Sequence, residues 1–378
     1  MKDTDEPVIV DPTLVVDPDP RTEVQRTAVL RGDQYELQLR NGETIHLYPG
    51  CEYDGVDFSG SNLTGVLLVG SILNNCKFNN CILGWTDFSE CSMHNTIFEG
   101  ALLDRTNFVG TSLVGSQFKD VKTKFVRFDS ADISFCVFTG GDFEDANFQK
   151  ATGISTEFHD LVLAFVNFDN SNLGGALFKG AKMKYTNFCS AHLSCVTFEK
   201  CALDENKFAE AVLSNVSFVN CGGFMVNMFF SEATLEQVTF RGCTIDGCNF
   251  MGAHLFEVTF EQTQMYGSGF IGAQLTNVAF RSAGVNDSEF NGAKLLNIIG
   301  VLSRFRGVEM EYSKMKNASF TSCLFHKAAF EDAGFTDVVF DKCFFDPDTS
   351  WPEDFTIPIK QRPIPDTPAE LIQGDHTP

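Results

Sequence analysis

A strict five-residue period dominates this sequence. Over residues 58–218 almost every fifth residue is large and apolar, with exceptions at Thr123 and Gly153. The period resumes at Phe230, displaced by two residues, and continues to Phe345. An α-helix has 3.6 residues per turn and a strand alternates every two residues, so neither element produces a period of five. A solenoid whose coils are divided into five-residue sides does produce it.

A second, smaller side chain lies two residues before each large one. We infer that every pentapeptide directs one large and one small side chain inward, so that the interior fills without overpacking. Adjacent coils then pair as parallel strands, about 4.8 Å apart. The small set includes Ser71, Cys76, Cys81, Thr86, Cys91, Thr96 and Ala101. The predicted core includes Phe58, Phe78, Phe88, Phe98, Phe108, Phe118, Phe128, Phe240, Phe250 and Phe260.

The large positions also alternate in kind. Those ten residues apart are almost all phenylalanine, which accounts for much of the chain's 39 Phe, and those between them are mostly Leu, Met or Ile. Adjacent sides of a coil therefore differ, and each coil has an even number of sides. The twelve-residue step from Phe218 to Phe230 keeps the Phe positions aligned and extrudes two residues. We expect Cys221, Gly222 and Gly223 to form the resulting bulge.

Repeats such as ALLDR at 101–105 resemble the A-x-L/F-x-x unit of the pentapeptide-repeat family. The resemblance extends over roughly residues 51–345. It implies an all-β fold, a right-handed quadrilateral parallel β-helix with four pentapeptides in each coil. At that coil length the region holds about 14–15 coils, each supported by its neighbours.

The two ends of such a solenoid need caps, because an open coil presents unpaired backbone groups. Asn41 and Gly42, between two apolar stretches, predict a β-hairpin with a type I′ turn as the N-terminal lid. Trp351–Phe355 resembles the aromatic, Pro-containing segment that closes many members of the family. The predicted organisation is a disordered acidic, Pro-rich arm at 1–23, the hairpin cap at 24–50, the pentapeptide-repeat β-helix at 51–345 with a two-residue register shift near 219–229, and a C-terminal cap with a Pro-rich tail at 346–378.

Most of the thirteen cysteines occupy the small inward position, where Cys acts as a compact hydrophobe. We therefore expect free thiols and a reducing compartment. Only Cys189 and Cys195 fall outward, bracketing His192, and Asp169 lies one coil before Cys189. A corner would splay these side chains and no second pair supports a zinc site, so we predict scattered polar residues and neither a metal nor a cofactor.

One outward corner of the coils is the candidate interaction surface. Large aromatic residues and arginine outside a packed core are the usual anchors of protein contacts. Three interpretations stay open: a ridge that binds a partner, a surface covered by a terminal segment of this chain, and incidental exposure. At steps of twenty residues this corner carries Trp85, Arg105, Phe125, Asp145, Phe165 and Tyr185.

Composition and motifs exclude several classes of function. With 50 acidic and 28 basic residues the net charge is −22, which argues against direct binding to nucleic acids or to anionic membranes. No apolar stretch is long enough to span a bilayer and Met1–Pro20 does not resemble a signal peptide, so we predict a cytoplasmic protein or one delivered to the cytosol of a target cell. The seven histidines are dispersed without catalytic spacing, so no enzyme is predicted.

The leading functional hypothesis is a non-enzymatic protein-interaction module. In it, a rigid acidic rod binds an unidentified protein partner through its outer faces and terminal arms. A second hypothesis comes from the resemblance, because fluoroquinolone-resistance members of the family mimic DNA and modulate DNA gyrase or topoisomerase IV as dimers joined at their C-terminal ends. That resemblance implies a homodimer of the same kind, although lysines such as Lys122 and Lys184 dilute the acidity here. A third hypothesis is a secreted effector or a structural component of a larger assembly, with the acidic arm as its docking or export signal.

Overall fold

The computed structural model describes residues 26–221 and 225–356. These residues contain no helix; they form short strands joined by tight turns. The predicted acidic arm at 1–23, the glycines of the predicted bulge at 222–223 and the predicted tail beyond residue 356 lie outside the described residues.

The chain divides into two compact units, Met1–Phe168 and Asp169–Pro378. The strands of unit 1 are β1 (Arg26–Thr27), β2 (Val29–Arg31), β3 (Gln34–Gln38), β4 (Thr44–Leu47), β5 (Ser61–Asn62), β6 (Ile97–Glu99), β7 (Gln117–Lys119), β8 (Val137–Thr139) and β9 (Glu157–His159). The strands of unit 2 are β10 (Leu177–Lys179), β11 (Lys182–Lys184), β12 (His192–Ser194), β13 (Thr197–Glu199), β14 (Ala202–Asp204), β15 (Val212–Ser214), β16 (Ser217–Val219), β17 (Met225–Val226), β18 (Thr234–Glu236), β19 (Thr239–Arg241), β20 (Thr244–Asp246), β21 (His254–Phe256), β22 (Thr259–Glu261), β23 (Gln264–Tyr266), β24 (Gln274–Thr276), β25 (Ala279–Arg281), β26 (Gly284–Asn286), β27 (Lys294–Leu296), β28 (Ile299–Val301), β29 (Arg304–Arg306), β30 (Lys314–Lys316), β31 (Ser319–Thr321), β32 (Leu324–His326), β33 (Gly334–Thr336), β34 (Val339–Asp341) and β35 (Phe344–Phe345).

Unit 1 is a parallel solenoid in which residues twenty apart pair side by side. One side of the coil is the sheet of β6, β7, β8 and β9, with Phe98 opposite Phe118. The other three sides are columns of single parallel bridges with the same step. Examples from these three columns are Glu52↔Ile72, Ile82↔Leu102 and Asp87↔Asn107. Four paired columns make a four-sided coil of four pentapeptides, which confirms the predicted solenoid.

Unit 2 repeats this coil with longer strand columns. Three parallel sheets begin at β10, β11 and β12, and a fourth column of single bridges runs from Asn187↔Lys207 to Ala329↔Ser350. The step is 22 residues at Val219↔Arg241 and returns to 20 at Met225↔Ile245. The two additional residues therefore lie between Val219 and Met225, and the Phe218↔Phe240 pair keeps the aromatic column aligned.

Columns of stacked phenylalanine rings fill the coils. In unit 1, the Phe118 ring centroid is 4.6 Å from that of Phe98 and 4.7 Å from that of Phe138, with nearly parallel planes. The ring of Phe128, on the opposite side of the coil, meets Phe118 edge to face at 5.7 Å. All ten phenylalanines named above as core residues are fully buried. Each ring thus stacks along its own column and contacts the facing column edgewise, both of which are favourable aromatic arrangements.

The small inward residues do more than leave room for the rings. Thr86 Oγ1 donates a hydrogen bond to the Leu63 carbonyl of the preceding coil at 2.7 Å, and Cys76 Sγ donates to the Tyr53 carbonyl at 3.0 Å. The interpretation of these cysteines as plain hydrophobes was therefore incomplete. All thirteen thiols are free. The Cys81 thiol donates in the same way to the Phe58 carbonyl, and burial raises the pKa of this thiol to about 12, so it keeps its proton at neutral pH.

We expect Thr86→Val to lower the free energy of unfolding by about 1 kcal/mol, the usual net value of one buried hydrogen bond. The substitution preserves shape but removes the donor to the Leu63 carbonyl, which then keeps only the turn N–H of Val66. Urea denaturation measures the effect. Thr64→Val, at an exposed position of the same unit, is the control and should be nearly neutral. Equal effects at the two threonines would contradict this role.

The N-terminal cap is an antiparallel sheet of β2, β3 and β4. The predicted type I′ turn is wrong. That turn requires a positive φ at both Asn41 and Gly42, but only Gly42 has one, at 88°. Leu39 N–H donates to the Glu43 carbonyl, so the loop has three residues with glycine last, the geometry of a type I turn followed by a bulge. The Tyr35 hydroxyl ties this cap to the first coil by donating to the Gly65 carbonyl at 3.0 Å.

The last coil of unit 2 ends in an aromatic cluster. The Trp351 ring lies 5.3 Å from Phe330, 4.9 Å from Phe345 and 5.4 Å from Phe355. These contacts place apolar rings over the final layer of the core, where a further coil would otherwise stack.

Acid is expected to loosen this C-terminal cluster. Burial opposes ionisation of Asp346, but hydrogen bonds from the Lys327 N–H and the Thr349 hydroxyl, and the nearby His326, hold the pKa of its carboxyl below the ordinary value. Because the folded pKa is lowered, its stabilisation is complete above about pH 4 and is lost as the pH falls through the folded pKa. Trp351 fluorescence in a Trp85→Phe background should therefore change in acid. Asp346→Asn should shift or flatten that transition; an identical acid profile in both proteins would contradict the assignment.

Candidate functional site

Five of the six residues predicted for the outward corner lie in unit 1. Trp85, Phe125 and Phe165 have 44%, 46% and 51% of their surface exposed, respectively. Trp85 and Phe165 each follow a large inward leucine by two positions, Phe125 follows the smaller inward Thr123, and successive rings are two coils apart. The adjacent bridges, for example Asp87↔Asn107, fix this register. We call Trp85, Arg105, Phe125, Asp145 and Phe165 the aromatic corner.

The backbone makes bulky side chains unfavourable at this corner. All five residues have a left-handed backbone conformation, with φ between 56° and 59°. Glycine and asparagine adopt this conformation most readily, and Gly115 and Asn95 occupy such positions elsewhere in unit 1. An L-residue in this region costs roughly 1–2 kcal/mol. The aromatic rings are therefore not explained by backbone preference, and they do not fill the core.

Arg105 lies between two of the rings. Its Cζ is 4.8 Å from the ring centroid of Trp85 and 4.9 Å from that of Phe125. Each such cation–π contact contributes about 0.5–1 kcal/mol at an exposed site. The sandwich also holds the long side chain of Arg105 along the corner, which gives Trp85 and Phe125 a defined surface.

Asp145 occupies the next position, between Phe125 and Phe165. Its N–H donates to the Ala164 carbonyl at 3.1 Å, which is the regular contact between coils. In the part of the chain that the structure describes, its half-buried carboxylate has no hydrogen bond and no ion pair. The corner thus carries a cation between its first two rings and a carboxylate between its second and third.

Tyr185 belongs to unit 2 and has its own surroundings. Lys184 Nζ lies 5.1 Å from the centroid of the Tyr185 ring and forms an ion pair with Asp204 at 3.0 Å. A hydrogen bond to Glu205, together with the charge of that carboxylate, raises the pKa of the Tyr185 hydroxyl. The ring is 37% exposed, so Tyr185 is accessible in unit 2 and already carries a cation.

The sequence reasoning missed an exposed aromatic residue of the same kind in unit 1. Phe135 has φ of 59° and 59% of its surface exposed, more than any ring of the aromatic corner. It follows the buried Ile133 by two residues, so the rule that located Trp85 also locates Phe135. Its column neighbours Gly115 and Ser155 are small, and it forms no aromatic row. Phe135 is therefore a matched control for the aromatic corner.

The two outward cysteines differ in their exposure. Cys189 is half-buried, which raises the pKa of its thiol, and Cys195 is exposed. Residues 26–221 and 225–356 contain no group of three or more His, Cys, Asp or Glu side chains arranged to hold a metal ion. No helix that would cross a membrane occurs in the same described segments.

Comparison with known proteins agrees with this architecture. The model of the pentapeptide repeat region matches residues 71–141, 131–208 and 195–270, which together cover 200 of the 378 residues. No curated protein matches the sequence. Among solved structures, QnrB1, a plasmid-mediated fluoroquinolone resistance protein, is similar with 17% identity, coverage of 52% of this chain and 92% of its own, and a TM-score of 0.22.

Two further solved structures also match parts of this chain. HetL, a pentapeptide repeat protein involved in heterocyst differentiation regulation from the cyanobacterium Nostoc, shares 14% identity over 77% of this chain and 87% of its own, with a TM-score of 0.15. An alginate lyase shares 6% identity over 82% of each chain, with a TM-score of 0.24. The repeat match covers more than half of the chain, and this chain belongs to the pentapeptide-repeat family.

Proposed function

We propose that this protein is a non-enzymatic protein-interaction module that binds a protein partner through the aromatic corner of unit 1. The observation that supports the proposal is three half-exposed rings at backbone positions where aromatic residues are unfavourable. Large rings at positions where the backbone conformation is unfavourable for them, but where they present apolar area to solvent, are suited to anchoring a partner. Arg105 adds the other residue type that is enriched at protein contacts.

The side chains of the aromatic corner are also ordered before a partner binds. Binding costs free energy when flexible side chains become ordered. Here the rings sit on paired coils, and the guanidinium of Arg105 already lies within 5 Å of two of them. A surface that is ordered before binding loses less freedom on association.

The test is affinity capture with a triple variant, Trp85→Ser, Phe125→Ser and Phe165→Ser. Removal of three anchor residues should weaken capture of the partner at least tenfold, because each hot-spot residue contributes more than about 1 kcal/mol. Phe135→Ser is the matched control, with the same backbone conformation and greater exposure. Unchanged capture by the triple variant, or equal loss in the control, would overturn the proposal.

DNA mimicry directed at gyrase or topoisomerase IV is the alternative, and the distribution of charge opposes it. A mimic needs closely spaced negative charge without intervening cations. Here Lys119 pairs with Glu99 at 2.6 Å in unit 1, and Lys184 pairs with Asp204 at 3.0 Å in unit 2. We expect micromolar protein to leave gyrase supercoiling unchanged; inhibition or drug protection at that concentration would favour the alternative.

We propose a reducing compartment, the cytosol, as the site of action, and thirteen free thiols support it. The homodimer joined at its C-terminal end and the role as an effector or assembly component remain predictions. The effector hypothesis rests on the arm at 1–23, which is outside the described residues.

A further inference from the structure

We propose that the space between Phe125 and Phe165, with Asp145 at its base, binds an arginine side chain of the protein partner. We call these three residues the acidic slot. The inference rests on the proposed function and adds to it the chemical group that the aromatic corner recognises.

The protein itself provides the template for such a slot. Between Trp85 and Phe125 the guanidinium of Arg105 lies 4.8 Å and 4.9 Å from the two ring centroids. A planar cation is attracted to the electron-rich faces of both rings. This arrangement shows that two aromatic residues on alternate coils of this corner leave room for one guanidinium.

The acidic slot repeats this geometry one step along the corner. Phe125 and Phe165 are forty residues apart, as are Trp85 and Phe125, and the coil step between them is the same. The φ values of Phe125, Asp145 and Phe165 are 57°, 59° and 57°, against 58° and 56° for Trp85 and Arg105. The two slots therefore differ mainly in the central side chain, a guanidinium in one and a short carboxylate in the other.

The charge of Asp145 selects a cation for the second slot. Its carboxylate has neither a hydrogen bond nor an ion pair among the described residues, so it is available to accept from a group that enters between the rings. A carboxylate can receive two parallel N–H donors from arginine, which a lysine ammonium cannot supply in the same plane. The net charge of −22 further favours a basic segment as the partner.

Unit 2 gives an independent example of the same preference. There the ring of Tyr185, also at a left-handed corner, has the ammonium of Lys184 5.1 Å from its centroid. Asp204 pairs with that ammonium at 3.0 Å. A corner aromatic, a cation and a carboxylate thus occur together in unit 2 as well, and the acidic slot of unit 1 has two of these three components.

Saturation-transfer NMR with the full chain tests the proposal. The probe is the peptide acetyl-Gly-Arg-Gly-amide, compared with the same peptide carrying citrulline, a neutral isostere, or lysine. We expect the arginine side-chain protons to receive the strongest saturation and the citrulline peptide to bind at least fivefold more weakly. Phe165→Ser should weaken arginine binding about fivefold, the equivalent of one cation–π contact of about 1 kcal/mol.

Asp145→Arg is the decisive variant, because it places a guanidinium in the slot as Arg105 does in the first one. It should abolish arginine-specific saturation. Glu90→Arg makes the same change of charge at another exposed left-handed corner of unit 1 and should leave most of the binding intact. Equal binding by Asp145→Arg and the unmodified protein, or equal binding of the citrulline and arginine peptides, would overturn the proposal.

The outcomes separate this proposal from the proposed function. If the triple serine variant loses its partner while Asp145→Arg leaves binding of the arginine peptide unchanged, the aromatic corner is a contact surface and the acidic slot is not an arginine site. If the triple variant keeps its partner, the proposed function fails, whatever the peptide does.

Discussion

Replacement of Phe118 by alanine is expected to lower the free energy of unfolding by about 3–5 kcal/mol. The Phe118 ring is fully buried and stacks at 4.6 Å and 4.7 Å on the rings of Phe98 and Phe138. Alanine removes both stacking contacts and leaves a cavity that the paired backbones of adjacent coils cannot close. Urea denaturation followed by circular dichroism measures the loss.

Phe135→Ala is the control for this change. It deletes the same ring from a position that is 59% exposed, so the unfolding free energy should change by less than about 0.5 kcal/mol. A loss below 1 kcal/mol for Phe118→Ala, or similar losses at both positions, would show that the stacked rings do not carry the stability of unit 1.

Gly141→Ala should cost about 3 kcal/mol, the combined effect of a backbone overlap and an unfavourable φ. A methyl group at Gly141 would overlap the carbonyl oxygen of Val121 on the adjacent coil and lie 3.1 Å from its nitrogen. The φ of 97° is also outside the range that alanine adopts readily. Because the obstacle is backbone, a rotamer change cannot relieve it.

Gly65→Ala separates the two contributions. Gly65 has φ of 70°, but nothing lies within 4 Å of the added methyl group, so only the conformational cost of about 1 kcal/mol remains. Thermal and urea unfolding of the two variants should therefore differ by about 2 kcal/mol. Equal stability of Gly141→Ala and Gly65→Ala would contradict the close approach of the coils at Val121.

The coil could be predicted from the sequence because its signal is local and periodic. A large residue at every fifth position and phenylalanine at every tenth place Phe98, Phe118 and Phe138 in one column, and the structure stacks them. The outward corner follows from the same arithmetic, so the positions of Trp85 and Phe125 could be derived. The five-residue period predicts the position of a side chain and the face of the coil on which it lies, but not the residues that it contacts.

The features that the sequence did not reveal depend on partners distant in the chain or on rotamers. Thr86 donates to a carbonyl 23 residues earlier, so its role beyond small size emerges only when coils are stacked. The turn at Gly42 depends on whether Leu39 pairs with Glu43, and a short motif does not determine that pairing. The position of the Arg105 guanidinium between two rings depends on its side-chain torsions, and that position suggested the acidic slot.

Site-specific photo-crosslinking tests the central claim most directly, namely that the aromatic corner contacts a protein partner. Benzoylphenylalanine is placed at position 125, between the two slots, or at position 135, the exposed control. The account predicts that one protein of defined mass is crosslinked from position 125 and not from position 135. Crosslinking of that same protein from position 135 alone, or with equal yield from both positions, would contradict it.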